Sequence, residues 1–264
     1  MVFIGRETLV DFTLDKYKEL CRTLQATGYN PFTVCDYLDD VSDDNPDPEK
    51  KIVILRHDVD RKIMNALRMA KMEHEMGIHS TFYFRYPHTF KPDIIRKIQA
   101  LGHEIGYHYE VLSKVNGDYL KAIALFVHEL EEFRKISPID TICMHGNPLS
   151  SIDNRNLWKQ YDFHQYGLKG EAYLSISNIN YFSDTGRNWN GRNNLRDFIG
   201  TGRSSELPET TDALIQLIRK MKFPALYLTT HPERWAYSYG TLMVSYSTDL
   251  MFNFGKKIIR SIRR

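Results

Sequence analysis

Two aspartates, Asp58 and Asp60, stand one residue apart at the end of the apolar run Ile52-Val53-Ile54-Leu55, in the stretch Arg56-His57-Asp58-Val59-Asp60. Positions two apart on an extended chain face the same way. Two carboxylates on one side repel each other unless a divalent metal, a shared proton or an arginine lies with them. The plainer reading makes Asp58 a helix cap and Asp60 part of the first turn that follows, where a carboxylate favours the helix dipole.

The same kind of chemistry recurs further along. His103-Glu104-Ile105-Gly106-Tyr107-His108-Tyr109-Glu110 ends one strand-like run, Met144-His145-Gly146-Asn147-Pro148 ends another, and Thr229-Thr230-His231-Pro232-Glu233-Arg234-Trp235 ends the last. Imidazoles and carboxylates at corresponding strand ends are not the pattern of scattered structural histidines. Aspartate and histidine are the N/O donors that zinc and similar divalent ions take.

The elements that must carry these residues can be read from periodicity. Thr13 caps a helix over 14–27 that stops at Gly28, and the acidic, proline-punctuated stretch 39–49 marks a boundary. From Ile52 onward strand and helix alternate: strand 52–55, helix 61–76, strand 80–85, helix 92–101, strand 103–109, helix 117–136, strand 140–145. After short strand-like pieces in 162–184 and a polar loop over 187–207, helix 210–222 and strand 225–230 follow. Such alternation with short connections indicates a parallel sheet, whose strand C-termini are where ligands and catalysis sit. The expected organisation is an N-terminal elaboration over 1–48 packed on a body over 49–264, one compact unit overall.

The chain has 264 residues, 42% hydrophobic and 26% charged, with a formal net charge of +2, which carries no nucleic-acid signature. Three cysteines without CxxC spacing argue against a disulfide framework. No apolar run approaches a membrane span, and residues 1–7 lack the long apolar core of a signal peptide, so the expected location is cytoplasmic. Residues 252–264 read as a short basic amphipathic helix, either solvated with one docked face or in peripheral contact with an anionic membrane. The sequence sets no oligomeric state.

The strand-end motifs, above all Asp58/Asp60 and Gly102-His103-Glu104-Ile105-Gly106-Tyr107-His108, resemble those of the polysaccharide deacetylase superfamily (carbohydrate esterase family 4, NodB-like), in a divergent Arg-His-Asp-Val-Asp branch associated with surface-polysaccharide gene sets. The resemblance implies an α/β fold, a distorted (β/α)7-type NodB-like barrel with a short helical N-terminal elaboration. It implies removal of an acetyl group from an N-acetylated sugar or glycan precursor. Asp58 matches the general base, Asp60 and His108 match metal ligands, and His231 matches the histidine that protonates the leaving amine. The cofactor implied is a divalent metal, zinc first, with cobalt, nickel or manganese as alternatives.

The pattern departs from the family at Leu112, where a second metal histidine is usual. His145, which also ends a strand, is the leading replacement, with Glu110 as another donor. The alternatives are a carbohydrate-binding relative that has lost hydrolysis and a metal-dependent hydrolase of a non-sugar amide. Arg56, Tyr107, Arg187, Trp189, Arg192 and Trp235 are the expected substrate contacts. Arg56 would also keep Asp58 ionised, the tryptophans could stack on sugar rings, and the donor-rich loop 184–192 could hold a substrate anion or be a solvated basic loop.

Overall fold

The computed structural model describes residues 10–42, 51–146, 150–191, 197, 199, 207–220, 223–238 and 240–242. Among them are α1 (Leu14–Ala26), β1 (Asn30–Phe32), α2 (Val34–Ser42), β2 (Ile52–Val59), α3 (Ile63–Glu75), β3 (Thr81–Phe84) and α4 (Pro92–Ala100). Then come β4 (Glu104–Tyr109), α5 (Val111–Lys114), α6 (Tyr119–Arg134), β5 (Thr141–Met144), β6 (Gly170–Glu171), β7 (Asn180–Ser183), α7 (Thr211–Lys220) and β8 (Ala225–Thr230).

All the strand pairings are parallel, and the sheet runs β6-β5-β4-β3-β2-β8-β7, a curled sheet of the distorted (β/α)7, NodB-like kind. β2 is its axis. Val53, Ile54 and Leu55 are buried, as a strand covered on both faces requires. One edge of β2 is shared end to end: β1 pairs with Ile52–Ile54, and β3 pairs with Arg56–Val59. The helices follow their apolar stripes. α1 starts where Thr13 Oγ1 accepts from the Lys16 amide and buries Tyr17, Leu20 and Leu24.

Parallel pairing sets the strand C-termini side by side. Asp58 lies level with Tyr83, Tyr109 with Met144, and His57 with Thr230. The sheet is not laddered between β6 and β7. Asp197 bridges that gap instead: its carboxylate accepts from Tyr173 at 2.9 Å, from Thr185 at 2.7 Å, and from Tyr181 and Ser183.

β1, α2 and α5 were not expected from the sequence, and the 162–184 region holds one 3-10 turn over Phe163–Tyr166, the short β6 and β7, and irregular chain between them. The expected 48/49 boundary and the basic 252–264 segment lie outside the described residues. No described helix is long and apolar enough to cross a membrane.

Candidate active site

Asp58 and Asp60 leave the end of β2 toward the end of β4. His108 Nε2 stands 3.8 Å from Asp58 Oδ2 and 3.5 Å from Asp60 Oδ1. His145, one residue past β5, puts its own Nε2 3.4 Å from the same Asp60 oxygen. The two imidazoles meet edge to face, with centroids 5.2 Å apart. Burial raises and the neighbouring histidines lower the pKa of Asp60, and the net result lies well below the ordinary range. Burial pushes His145 down, toward the neutral form a metal ligand needs.

The other ring nitrogens are already held. His108 Nδ1 lies 3.0 Å from the Cys143 carbonyl, and His145 Nδ1 lies 2.9 Å from Glu110 Oε2. Both partners are acceptors, so each Nδ1 carries a proton, and in the neutral ring Nε2 offers a bare lone pair. Asp60 Oδ1 is sealed from solvent and makes no hydrogen bond. With both rings neutral, two nitrogen lone pairs and an anionic oxygen converge. That arrangement is unfavourable alone and fits a divalent cation, with Glu110 and the Cys143 carbonyl orienting the ligands. Leu112 is buried in the core at the start of α5, and His145 brings an imidazole to the aspartate instead.

Asp58, His108 and Cys143 also bring one donor atom each to within 4.8 Å of one another, a second group that could hold a metal. It is the poorer host. Both Asp58 oxygens already accept from Arg56, each at 2.8 Å, and that guanidinium repels a further cation. Burial holds the Cys143 thiol well above its ordinary pKa.

Arg56 is fully enclosed. It also donates to Tyr227 at 3.0 Å and Tyr173 at 2.5 Å, and its charge carries Asp58 below the ordinary carboxylate pKa against the opposing effect of burial. His231, just past β8, has Nδ1 2.6 Å from Asp184 Oδ1, and Asp184 also accepts from Arg234 at 2.6 Å and from Trp235 Nε1 at 2.9 Å. Burial raises Asp184, but Arg234 and His231 draw it down to about 2. Burial and Arg234 press the His231 pKa down, Asp184 lifts it, and the net shift is upward. Thr230 pairs with His57, so His231 follows β8 at the level where Asp58 follows His57 on β2, and it acts electrostatically on both Asp58 and Asp60.

Several expected substrate contacts lie elsewhere. Arg56 is spent on Asp58 and two phenols and has no surface for a ligand. Tyr107 alternates with His108 along β4, so its ring packs under α6 against Phe126 and Phe133, and its hydroxyl donates to Glu129. Trp189 is 1% exposed and donates to Thr211, because the polar loop folds it back against α7 and Trp235. Trp235 is enclosed by Phe12 and Tyr17 and serves the site from behind, through Asp184. Arg187 lies over the Phe12 ring at 5.5 Å, and Arg192 lies outside the described residues.

Asp184, Glu110 and Glu233 support the site more than the sequence suggested. Asp184 ends a strand just as the other site residues do, but β7 has four residues in an irregular stretch and its periodicity is too short to read. Glu233 stands beside a cavity of about 1090 Å³ that opens next to Asp60, and burial and the Asp60 charge push its pKa up to about 7.

No family model matches the chain, and no curated protein matches it. Solved structures are similar to it. A Streptococcus mutans CE4 esterase is 13% identical, with 90% of each chain covered and a TM-score of 0.45. A CE4-family pseudoenzyme from Bacillus anthracis is 12% identical with a TM-score of 0.44, covering 80% of this chain. The chain spans 63% of that pseudoenzyme's length. IcaB from Ammonifex degensii is 14% identical over 55% of this chain and 71% of its own, with a TM-score of 0.40.

Proposed function

We propose that this chain is a metal-dependent hydrolase that removes the acetyl group from an N-acetylated sugar or glycan precursor, in the making of a surface polysaccharide. One observation carries the reading: Asp60 Oδ1 is buried without a hydrogen bond and faces the bare Nε2 atoms of His108 and His145. Those three residues would hold the ion, and their N/O donor set suits zinc, with cobalt, nickel or manganese accepted by the same donors. When bound, the ion supplies Lewis acidity and an acidified water.

The chain's own side chains do the proton work. Asp58, kept ionised by Arg56, takes a proton from the attacking water; each of its oxygens has lone-pair capacity left beyond the Arg56 bond. His231 has Nδ1 committed to Asp184, which leaves Nε2 to deliver a proton to the departing nitrogen. Burial and Arg234 lower its pKa, but Asp184 and Asp60 lift it on balance, which favours the protonated form a general acid needs.

A second reading also has an observation behind it. A carboxylate gripped at both oxygens by a buried guanidinium is a weak base, which suits a protein that binds glycans without turnover. Metal analysis and acetate release separate the two. The hydrolase reading expects about one metal ion per chain, lost in Asp60→Ala and His145→Ala. It also expects acetate from N-acetylated sugars that ceases in Asp58→Asn while the metal stays. Metal-free protein under every loading condition would sink it, and glycan binding without acetate would select the second reading. Acetate from simple amides but not from sugars would move the activity to a non-sugar substrate.

A further inference from the structure

The cavity beside Asp60 carries charge of the opposite sign. Four cationic side chains, Arg61, Lys62, Arg68 and Arg85, line it against two carboxylates, Asp60 and Glu233. Two of the cations are matched: Arg85 donates to Glu110 at 2.7 Å, and Arg61 stands 3.7 Å from Glu233. Lys62 and Arg68 meet no carboxylate among the described residues. Arg68 donates to the neutral Asn65 at 3.2 Å and lies 4.0 Å over the Tyr237 ring. No acidic side chain enters the first turn of α3, which Lys62 precedes as its N-cap and Arg68 follows in the second turn.

Concave walls concentrate the field of such charges and draw anions. The volume, about 1090 Å³, is at the upper end of what whole small-molecule ligands occupy and more than one sugar ring fills. Tyr237 is half exposed, so its ring is available as a platform already steadied by Arg68. A neutral glycan would leave Lys62 and Arg68 without counter-charge. A phosphate ester would meet both, since a guanidinium donates to phosphate in a forked pair and an ammonium binds it as a point charge.

We infer that the substrate is a phosphorylated N-acyl sugar, its amide beside Asp60 and its phosphate or diphosphate on Lys62 and Arg68; this rests on the hydrolase reading for the amide end alone. Soluble nucleotide-linked sugars and lipid-linked sugars carry the same diphosphate, and the structure selects that shared chemistry.

The test is equilibrium binding to the full chain in the presence of a chelator, so that no metal answers for the anion. The probes are inorganic pyrophosphate, N-acetylglucosamine 1-phosphate and N-acetylglucosamine. The phosphorylated sugar should bind at least about tenfold more tightly than the neutral one, the worth of one charge-assisted contact. Lys62→Gln/Arg68→Gln should erase that margin and the pyrophosphate binding, and the margin should shrink with salt. Lys62→Glu, at an exposed position where folding is not at stake, should weaken pyrophosphate on its own. Equal binding of charged and neutral sugars, or a margin that survives both variants, overturns the inference.

Acetate release then divides the two ideas. Release from neutral and phosphorylated sugars alike keeps the hydrolase and removes the anion site. Pyrophosphate binding with no acetate from any probe keeps the anion site and removes the hydrolase. Comparing uridine diphosphate N-acetylglucosamine with a polyprenyl-diphosphate-linked sugar in detergent identifies the source.

Discussion

Glu110 Oε2 accepts from His145 Nδ1 at 2.9 Å, and by doing so it decides which nitrogen of that ring is left to face Asp60. The carboxylate also takes Arg85 Nη2 at 2.7 Å, and its pKa is drawn down to about 2 by His145 and Arg85 against burial. Glu110→Gln keeps the shape and removes the charge. Metal affinity should fall by about 10–100-fold, measured by competition with a calibrated chelator. An unchanged affinity would mean that His145 is no ligand.

Asp184 lifts the pKa of His231, and Asp184→Asn takes that lift away. A general acid must be protonated to work, so turnover declines as pH rises through its pKa. In the variant the declining limb should move to lower pH. A kcat–pH profile with its alkaline limb unmoved would remove His231 from the proton path.

Arg56 and Asp58 form a buried ion pair, the guanidinium fully enclosed and the carboxylate reaching the site. Arg56→Met strands the carboxylate, and urea unfolding should show a loss of about 3–5 kcal/mol. Arg56→Met/Asp58→Leu should be less damaged than the single variant, because the uncompensated charge goes with the aspartate. Additive losses would contradict that coupling.

Glu73 anchors a network on the other face of β2. It accepts from Tyr17 at 2.5 Å and from Ser80 at 2.7 Å, and lies 2.9 Å from His57 Nε2. Burial raises its pKa, but His57 and the other partners bring it down from 4.5 to about 2. A depressed carboxylate stabilises the fold above its unfolded pKa, and the contribution disappears as pH falls from about 4.5 through about 2. Its size is on the order of 3 kcal/mol. Urea midpoints across that window should drop steeply in the native protein and less in Glu73→Gln.

The parts of this architecture that were legible are those that one element encodes locally. β2 announces itself by Ile52–Leu55 and ends in charge, and β4, β5 and β8 repeat the device, so parallel pairing gathers Asp58, Asp60, His108, His145 and His231. What failed depended on how loops fold back. The polar composition around Trp189 describes the stretch as a whole and cannot tell that this one ring turns inward onto Trp235. Tyr107 was readable: if His108 faces the site, its strand neighbour faces away. Asp184 and α2 needed tertiary context, the first because β7 is short, the second because its helix follows a three-residue strand.

Among the described residues no ladder joins β6 to β7, and the carboxylate of Asp197 ties Tyr173 to Tyr181 there, which makes that arc the weakest of the curled sheet. Breathing motions will gather there, because parting Tyr173 from Tyr181 breaks side-chain bonds and leaves every rung of the backbone intact. The aperture of the barrel is therefore adjustable on one flank, while β2 and its neighbours stay as the fixed jaw that holds Asp58 and Asp60.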